Sequence, residues 1–331
     1  MPKLNRRPFA ALAAVFAAWA APDAAQACTT STANIGLGTH SSFTVATTPQ
    51  TGSGSAGLAC DILLAALTTH YVGLQVDAST FRLTGLGGHQ IAYTASLTPE
   101  GAALDVGVFQ NLSSRSLVSL FSGTSNSIPI YIRTIATPAL RAGTYSGHID
   151  LRWYYSVCAL GAAVCLGYSE SPGFSRPFLS PINWGSGTPV RVNIELHVEN
   201  DCIITAPNLD FGSSPLAGSF DPVTRTILIR CSAGAAYSVG LDDGENPAGG
   251  VRRMRSGTDH LGYEIYRTTS SSDRWGAVGG ARRDSASADA GAGIYDSVTT
   301  QAFTYRAAIL PGQITPPPGT YRDTIRIDVD F

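Results

Sequence analysis

Six cysteines and six histidines offer the most chemistry in this 331-residue chain. Thiols bridge to one another or hold zinc as thiolates, and imidazoles hold metals or move protons. A structural zinc site needs closely spaced ligand pairs, and neither the cysteines nor the scattered histidines supply them. His40, His70, His89, His148, His197 and His260 lie at no telling distance from a nucleophile or carboxylate. His148 and His197 alternate with apolar neighbours, which turns them to the solvent face of a strand. No Gly-x-Ser-x-Gly elbow, phosphate loop or His-Glu-x-x-His helix is present. Asp242-Asp-Gly-Glu-Asn246 lacks the ligand alternation of a calcium loop. The chain therefore reads as neither an enzyme nor a metal or cofactor protein.

The cysteines then point to disulfides in an oxidising compartment. The N-terminal segment agrees. Lys3, Arg6 and Arg7 precede an apolar stretch from Phe9 to Ala21, too short to span a membrane comfortably, and Ala25-Gln-Ala27 is a small-residue cleavage site. Residues 1–27 are read as a signal peptide, with Cys28 as the first mature residue. A cysteine there also admits a lipid anchor, although Ala25 and Gln26 suit one poorly. Cys28 has a counterpart in Cys202, which favours a bridge. Six cysteines allow fifteen pairings. Cys28 with Cys60 and Cys202 with Cys231 are similarly spaced, which leaves Cys158 with Cys165. Charged residues make up only 14% of the chain, the formal net charge is −2 and Lys3 is the sole lysine, so no basic stripe argues for a nucleic-acid partner.

The elements that carry these cysteines form a tandem repeat. Gly143-Thr-Tyr145 and Gly319-Thr-Tyr321 introduce the same alternating pattern, with Ile149, Leu151, Trp153 and Tyr155 matching Ile325, Ile327, Val329 and Phe331. Abundant glycine, serine and threonine with little helical periodicity indicate an all-β sandwich in each half. The spacing predicts domains at 28–199 and 200–331 joined by almost no linker, hence stiffly coupled. After its copy the first half continues through a long loop into Val190-Arg-Val-Asn-Ile-Glu-Leu-His-Val198, whereas the second half stops at Phe331. Val190, Val192, Ile194, Leu196 and Val198 share one strand face. Each buried side chain is worth roughly 1.5 to 3 kcal/mol, so the second half forgoes about 7 to 15 kcal/mol. It is expected to expose an apolar acceptor groove around Ile325, Ile327, Val329 and Phe331 that another chain's strand can fill.

Residues 202–331 resemble the spore coat protein U type of pilin domain found in archaic chaperone-usher pili. The features carrying the likeness are Cys202, Leu209-Asp-Phe-Gly212, Cys231-Ser232, Tyr237 with Leu241-Asp-Asp-Gly244, and Pro318-Gly-Thr-Tyr-Arg-Asp323. Residues 28–199 keep two cysteines and Gly-Thr-Tyr but carry Asn34-Ile-Gly-Leu-Gly38 in place of Leu-Asp-Phe-Gly. The resemblance implies two tandem immunoglobulin-like β-sandwich domains, the C-terminal one lacking its last strand. It implies a periplasmic chaperone that fills the groove, an outer-membrane usher, and a next subunit whose N-terminal strand replaces the chaperone. A chain beginning at Cys28 would have no strand to donate and would belong at the extracellular pilus tip as a two-domain adhesin in biofilm formation, with a host or abiotic surface as partner. A secreted coat or matrix protein of the same fold is the alternative.

Topology then locates contact. Tyr145 to Tyr155 and Val190 to Val198 should be antiparallel, which sends the connection from Ser156 to Pro189 to the end remote from the second domain. Such a long connection is commonly functional. It carries a short Cys158 to Cys165 ring and few charges. Leu160, Ala163, Val164, Leu166, Tyr168, Phe174 and Phe178 are the candidate surface-binding residues, the aromatics being equally suited to capping the sandwich. Leu86 to His89 and Gly107 to Leu112 read as turns, Leu120 and Phe121 as strand core or a second finger, and Asp61 to Leu67 as a strand or a short helix.

Overall fold

Period-two alternation governs the chain. A computed structural model, describing residues 27–62, 68–160, 164–176 and 181–331 and the backbone alone of Leu160, places that alternation in strands. In the first half these are β1 (Cys28–Thr30), β2 (Ala33–Ser41), β3 (Thr51–Cys60), β4 (Tyr71–Ser79), β5 (Arg82–Thr84), β6 (Gln90–Ser96), β7 (Phe109–Asn111), β8 (Ser127–Thr134), β9 (Gly143–Leu160), β10 (Gly167–Glu170) and β11 (Thr188–Glu199). Short helices α1 (Ser42–Thr47) and α2 (Leu117–Leu120) begin at Ser41 and Ser116, whose side chains cap them. The strand path β1-β3-β8-β6-β5-β9-β11-β2 wraps on itself, with β4 and β10 also paired to β9. Inside it, Leu58, Leu74, Leu83, Ile91, Ile130, Leu151 and Trp153 are fully buried. A buried indole N–H needs a partner. That of Trp153 donates to the Ala56 carbonyl at 2.8 Å.

The second half has β12 (Cys202–Thr205), β13 (Val223–Cys231), β14 (Ser238–Leu241), β15 (Arg252–Ser256), β16 (Asp259–Tyr266), β17 (Arg283–Asp284), β18 (Gln301–Ile309) and β19 (Ile327–Asp330). They form one sheet in the order β12-β13-β18-β16-β15 and a second in the order β17-β14-β19. Ile229, Val239, Trp275, Phe303 and Ala307 occupy the core between them. The Trp275 indole donates to the Val239 carbonyl at 2.9 Å, as Trp153 does to its own core wall. Both halves are immunoglobulin-like β-sandwiches.

The halves meet closely. The Ser42 and Ser232 hydroxyls, both buried, lie 2.6 Å apart. The Arg230 guanidinium sits over the Phe43 ring at 5.3 Å, and the Arg141 side chain covers Gly234, where an added Cβ would lie 2.9 Å from Nε. The bridges pair Cys28 with Cys60, Cys158 with Cys165 and Cys202 with Cys231. The reading of Tyr321 to Phe331 as one strand needs correction: regular pairing covers only Ile327–Asp330, with an isolated bridge between Arg255 and Arg322. The reason is that β19 is paired on one edge only, against the short strand β14. Residues 63–67, which carry most of the Asp61 to Leu67 stretch, lie outside the described residues.

Candidate functional site

The repeat makes the first half a template for the second. In the first half β9 lies between β4 and β11, and β11 lies in turn between β9 and β2. Val190 pairs antiparallel with Leu151 and Val192 with Ile149, while Ile194 pairs parallel with Ile35. The five apolar residues of β11 are buried to 7% exposure or less. In the second half Leu241 faces Ile327 and Val239 faces Val329, the arrangement by which Val76 faces Leu151 and Leu74 faces Trp153. β19 therefore stands where β9 stands. Among the described residues nothing pairs with its other edge.

The counterpart of β2 is also present and, among the described residues, unpaired. Leu209 and Phe211 match Ile35 and Leu37, and Gly212 at φ +79° matches Gly38 at φ +83°. Glycine adopts this left-handed turn without penalty. Residues 206–212 form no strand. Between this segment and β19 lies a cleft of about 570 Å³ lined by Leu209, Phe211, Ile227, Tyr305, Ile325 and Ile327, among others. A strand in the place of β11 fits between these two open edges. Of the sequence-predicted groove residues, Ile325 and Ile327 line the cleft and Val329 packs on the core beside it. Phe331 is corrected: it is 53% exposed and stands outside the cleft lining. The Tyr263 hydroxyl donates to Asp323 Oδ2 at 2.7 Å at the cleft wall. Burial together with that carboxylate holds the phenol well above its ordinary pKa.

The distal loop has a different character. β10 folds back antiparallel on the end of β9, with Tyr168 opposite Cys158, making a hairpin whose tip is closed by the Cys158–Cys165 bridge. Val164 and Leu166 stand 72% and 77% exposed on this hairpin, and Tyr168 is 40% exposed. Arg176 anchors the base. Its Nε donates to the buried Ser156 hydroxyl at 2.8 Å and its Nη2 to the Thr69 carbonyl at 3.1 Å. Its guanidinium stacks 3.3 Å over the Tyr168 ring, a cation–π contact. Phe174 is corrected: it is 8% exposed, packed against Tyr71 and Trp184 at ring separations of 5.8 and 5.7 Å, and belongs to the support of the hairpin. Ala163 and Phe178 lie outside the described residues, as does the Leu160 side chain.

Sequence reasoning missed Val118. It is 63% exposed on α2, whose other apolar residues, Leu117 and Leu120, are buried together with Phe121. The Arg115 carbonyl beside α2 lies 2.9 Å from His70 Nε2, and Thr69 is held by Arg176, so α2 and the bridged hairpin share one end of the sandwich. The signal was local: Ser116, three residues before Ser119, caps a turn that the reading of Leu120 and Phe121 as strand core or a second finger overlooks. Among the described residues no cluster of three or more histidine, cysteine or carboxylate side chains could hold a metal ion, and no helix is long and apolar enough to cross a membrane.

The Spore Coat Protein U domain family matches twice, at residues 13–151 and 188–328. Among solved structures, the chaperone–tip adhesion subunit pre-assembly complex CsuC-CsuE, from archaic chaperone-usher Csu pili of Acinetobacter baumannii, contains a chain 30% identical, with a TM-score of 0.71. The match covers 92% of the present chain and 100% of that one. CfaE, the adhesive subunit of CFA/I fimbria of enterotoxigenic Escherichia coli, matches at 10% identity over 91% of this chain and 93% of its own, with a TM-score of 0.29 too low to carry an argument. No curated protein matches.

Proposed function

The chain belongs to the Spore Coat Protein U domain family, and from that premise we propose that it is the tip adhesin of an archaic chaperone-usher pilus, attaching cells to a surface during biofilm formation. The observation that carries the reading is the pair of open edges flanking the cleft at Ile325 and Ile327, against a first half in which β11 fills the same place. In this reading the chain is exported to the periplasm, where a chaperone strand occupies the cleft. An outer-membrane usher then exchanges it for the N-terminal strand of the next subunit. The first half, complete in itself, is carried outward at the extracellular end. Its likeness to a subunit whose solved structure is a chaperone–tip adhesion complex supports that order. Domains at 28–199 and 200–331, after a signal peptide at 1–27, are the units of this assembly.

Contact with the surface is assigned to the bridged hairpin. Val164, Leu166 and Tyr168 present apolar surface on a stiffened finger, which binds at less ordering cost than a free loop, and Leu160 and Ala163 are assigned with them from the sequence alone. Phe174 and Trp184 hold its base. The test is attachment of assembled fibres bearing Val164→Glu and Leu166→Glu together. Loss of attachment with normal chaperone binding and fibre length is expected. Attachment at the original level by such fibres would remove these residues from the contact site, and failure of assembly would make them part of the fold.

A further inference from the structure

The outward charges beside the open edge of β19 carry an unmet pairing. In the first half the solvent face of β9 presents Asp150 and Arg152. Arg152 is paired with Asp77 on β4 at 2.7 Å. Asp150 is paired with Arg191 on β11 by two parallel bonds, Nε to Oδ1 at 2.7 Å and Nη2 to Oδ2 at 2.9 Å. Each residue of β9 thus takes its counter-charge from the strand on one side: Arg152 from β4, Asp150 from β11.

In the second half the same two positions are Arg326 and Asp328, with both signs inverted. Asp328, in the place of Arg152, is paired with Arg282, which reaches it from the residue before β17, on the far side of β14. Both charges of β9 are thus reversed on β19, Asp328 has found a counter-charge within the chain, and the counter-charge for Arg326 belongs to the place of β11. Arg326 is exposed, and among the described residues its guanidinium has no ion pair or hydrogen bond. Its backbone N–H is held by Asp242 Oδ1 at 2.9 Å, which fixes where the side chain leaves the edge. The next outward position along the missing strand, that of Asn193, would lie between Asn208 and Thr324, as Asn193 lies between Asn34 and His148, and its amide donates to Asn34 Oδ1 at 2.9 Å.

We propose that the strand accepted by the second half carries an aspartate or glutamate opposite Arg326, between the apolar residues that face Ile327 and Ile325, followed two residues later by an amide or hydroxyl side chain set between Asn208 and Thr324. The proposal rests on the strand-acceptor reading above and adds a selection rule to it. Apolar alternation gives the accepted strand its affinity, and this carboxylate gives it its register and identity. A one-residue slip would turn the carboxylate into the cleft, and a two-residue slip would place it opposite Asp328 or Thr324. The rule also discriminates against strands like β11, because Arg191 in that position would face Arg326, and like charges directly opposite one another on a sheet repel.

The experiment uses residues 28–331 refolded in the presence of labelled peptides. One peptide copies residues 188–199, and a second is identical except for aspartate in the place of Arg191. A third has proline in the places of Val192 and Ile194 and cannot pair. Binding is read by fluorescence anisotropy. The aspartate peptide is expected to bind about tenfold more tightly than the arginine peptide at low salt, with the gap narrowing at about 0.5 M salt as the surface charges are screened. Arg326→Glu should reverse the preference. Arg326→Gln should abolish it, and serves if the charge reversal impairs refolding. Equal binding of the first two peptides, or tighter binding of the arginine peptide, would overturn the selection rule while leaving the acceptor groove standing. Failure of both to bind better than the proline peptide would overturn the groove itself.

Discussion

Val164 and Phe174 lie in one loop and have opposite environments, which no pattern of residue types distinguishes. Both are large and apolar. What separates them is the fold: Phe174 meets Tyr71 and Trp184 on the outer face of the sheet, while the Cys158–Cys165 ring keeps Val164 in water. Phe174→Ala should therefore destabilise the first half by about 3 kcal/mol, as expected for a buried phenylalanine, whereas Val164→Ser should change stability by less than about 0.5 kcal/mol. Thermal unfolding followed by circular dichroism measures both, and comparable losses would show that the hairpin tip packs inward. The cysteine spacing and the repeat were readable because each has a counterpart at a matching position. Val118 was not, because its exposure follows from a capped single turn, and a short apolar run suits a strand equally well.

At the scale of elements, β11 and its missing counterpart explain both what the sequence disclosed and what it concealed. The alternation of Val190 to Val198 was legible, since a strand's face follows from period two alone. The true extent of β19 was not, because pairing length depends on neighbours: β9 runs from Gly143 to Leu160 with partners on both edges, and β19 has four paired residues with a partner on one. This makes β19 itself testable. Appending a copy of residues 188–199 after Phe331 through a flexible linker of about six residues should fill the cleft from within the same chain. Burying five apolar side chains would add about 7 kcal/mol, the lower end of the transfer range because unfolded chains already bury part of their surface. The unfolding temperature of the second half should rise by more than about 10 °C, and the amides of β19 and its flanking residues, from Thr324 to Phe331, should gain protection from hydrogen exchange. An unchanged unfolding temperature would mean that the cleft does not accept a strand.

Over the whole molecule, the contact between halves decides whether they move as one body. β11 ends at Glu199 and β12 begins at Cys202, so the connection has no slack, and it is tied further by the Asp201 N–H donating to the Ser232 hydroxyl at 2.7 Å. Ser232 is fully buried and its oxygen is shared with Ser42, which α1 brings across from the first half. Arg230 stacked on Phe43 and Arg141 laid over Gly234 close the same seam on either side. On the proposed tip placement, force applied at the hairpin would pass to the second half through this seam. Replacing Phe43 and Ser42 by alanine removes the ring under Arg230 and one partner of a buried hydroxyl, a loss of about 2 kcal/mol in coupling. Ser232 stays bonded to Asp201. Both cores should keep their own folds, since neither side chain belongs to a core cluster. The expected result is a wider distribution of interdomain distances, read by paired spin labels on β6 and β16, with the unfolding temperatures of the separate halves little changed. A distribution as narrow as that of the unaltered chain would show that the short connection alone sets the stiffness, and that the seam between α1 and Ser232 adds nothing to it.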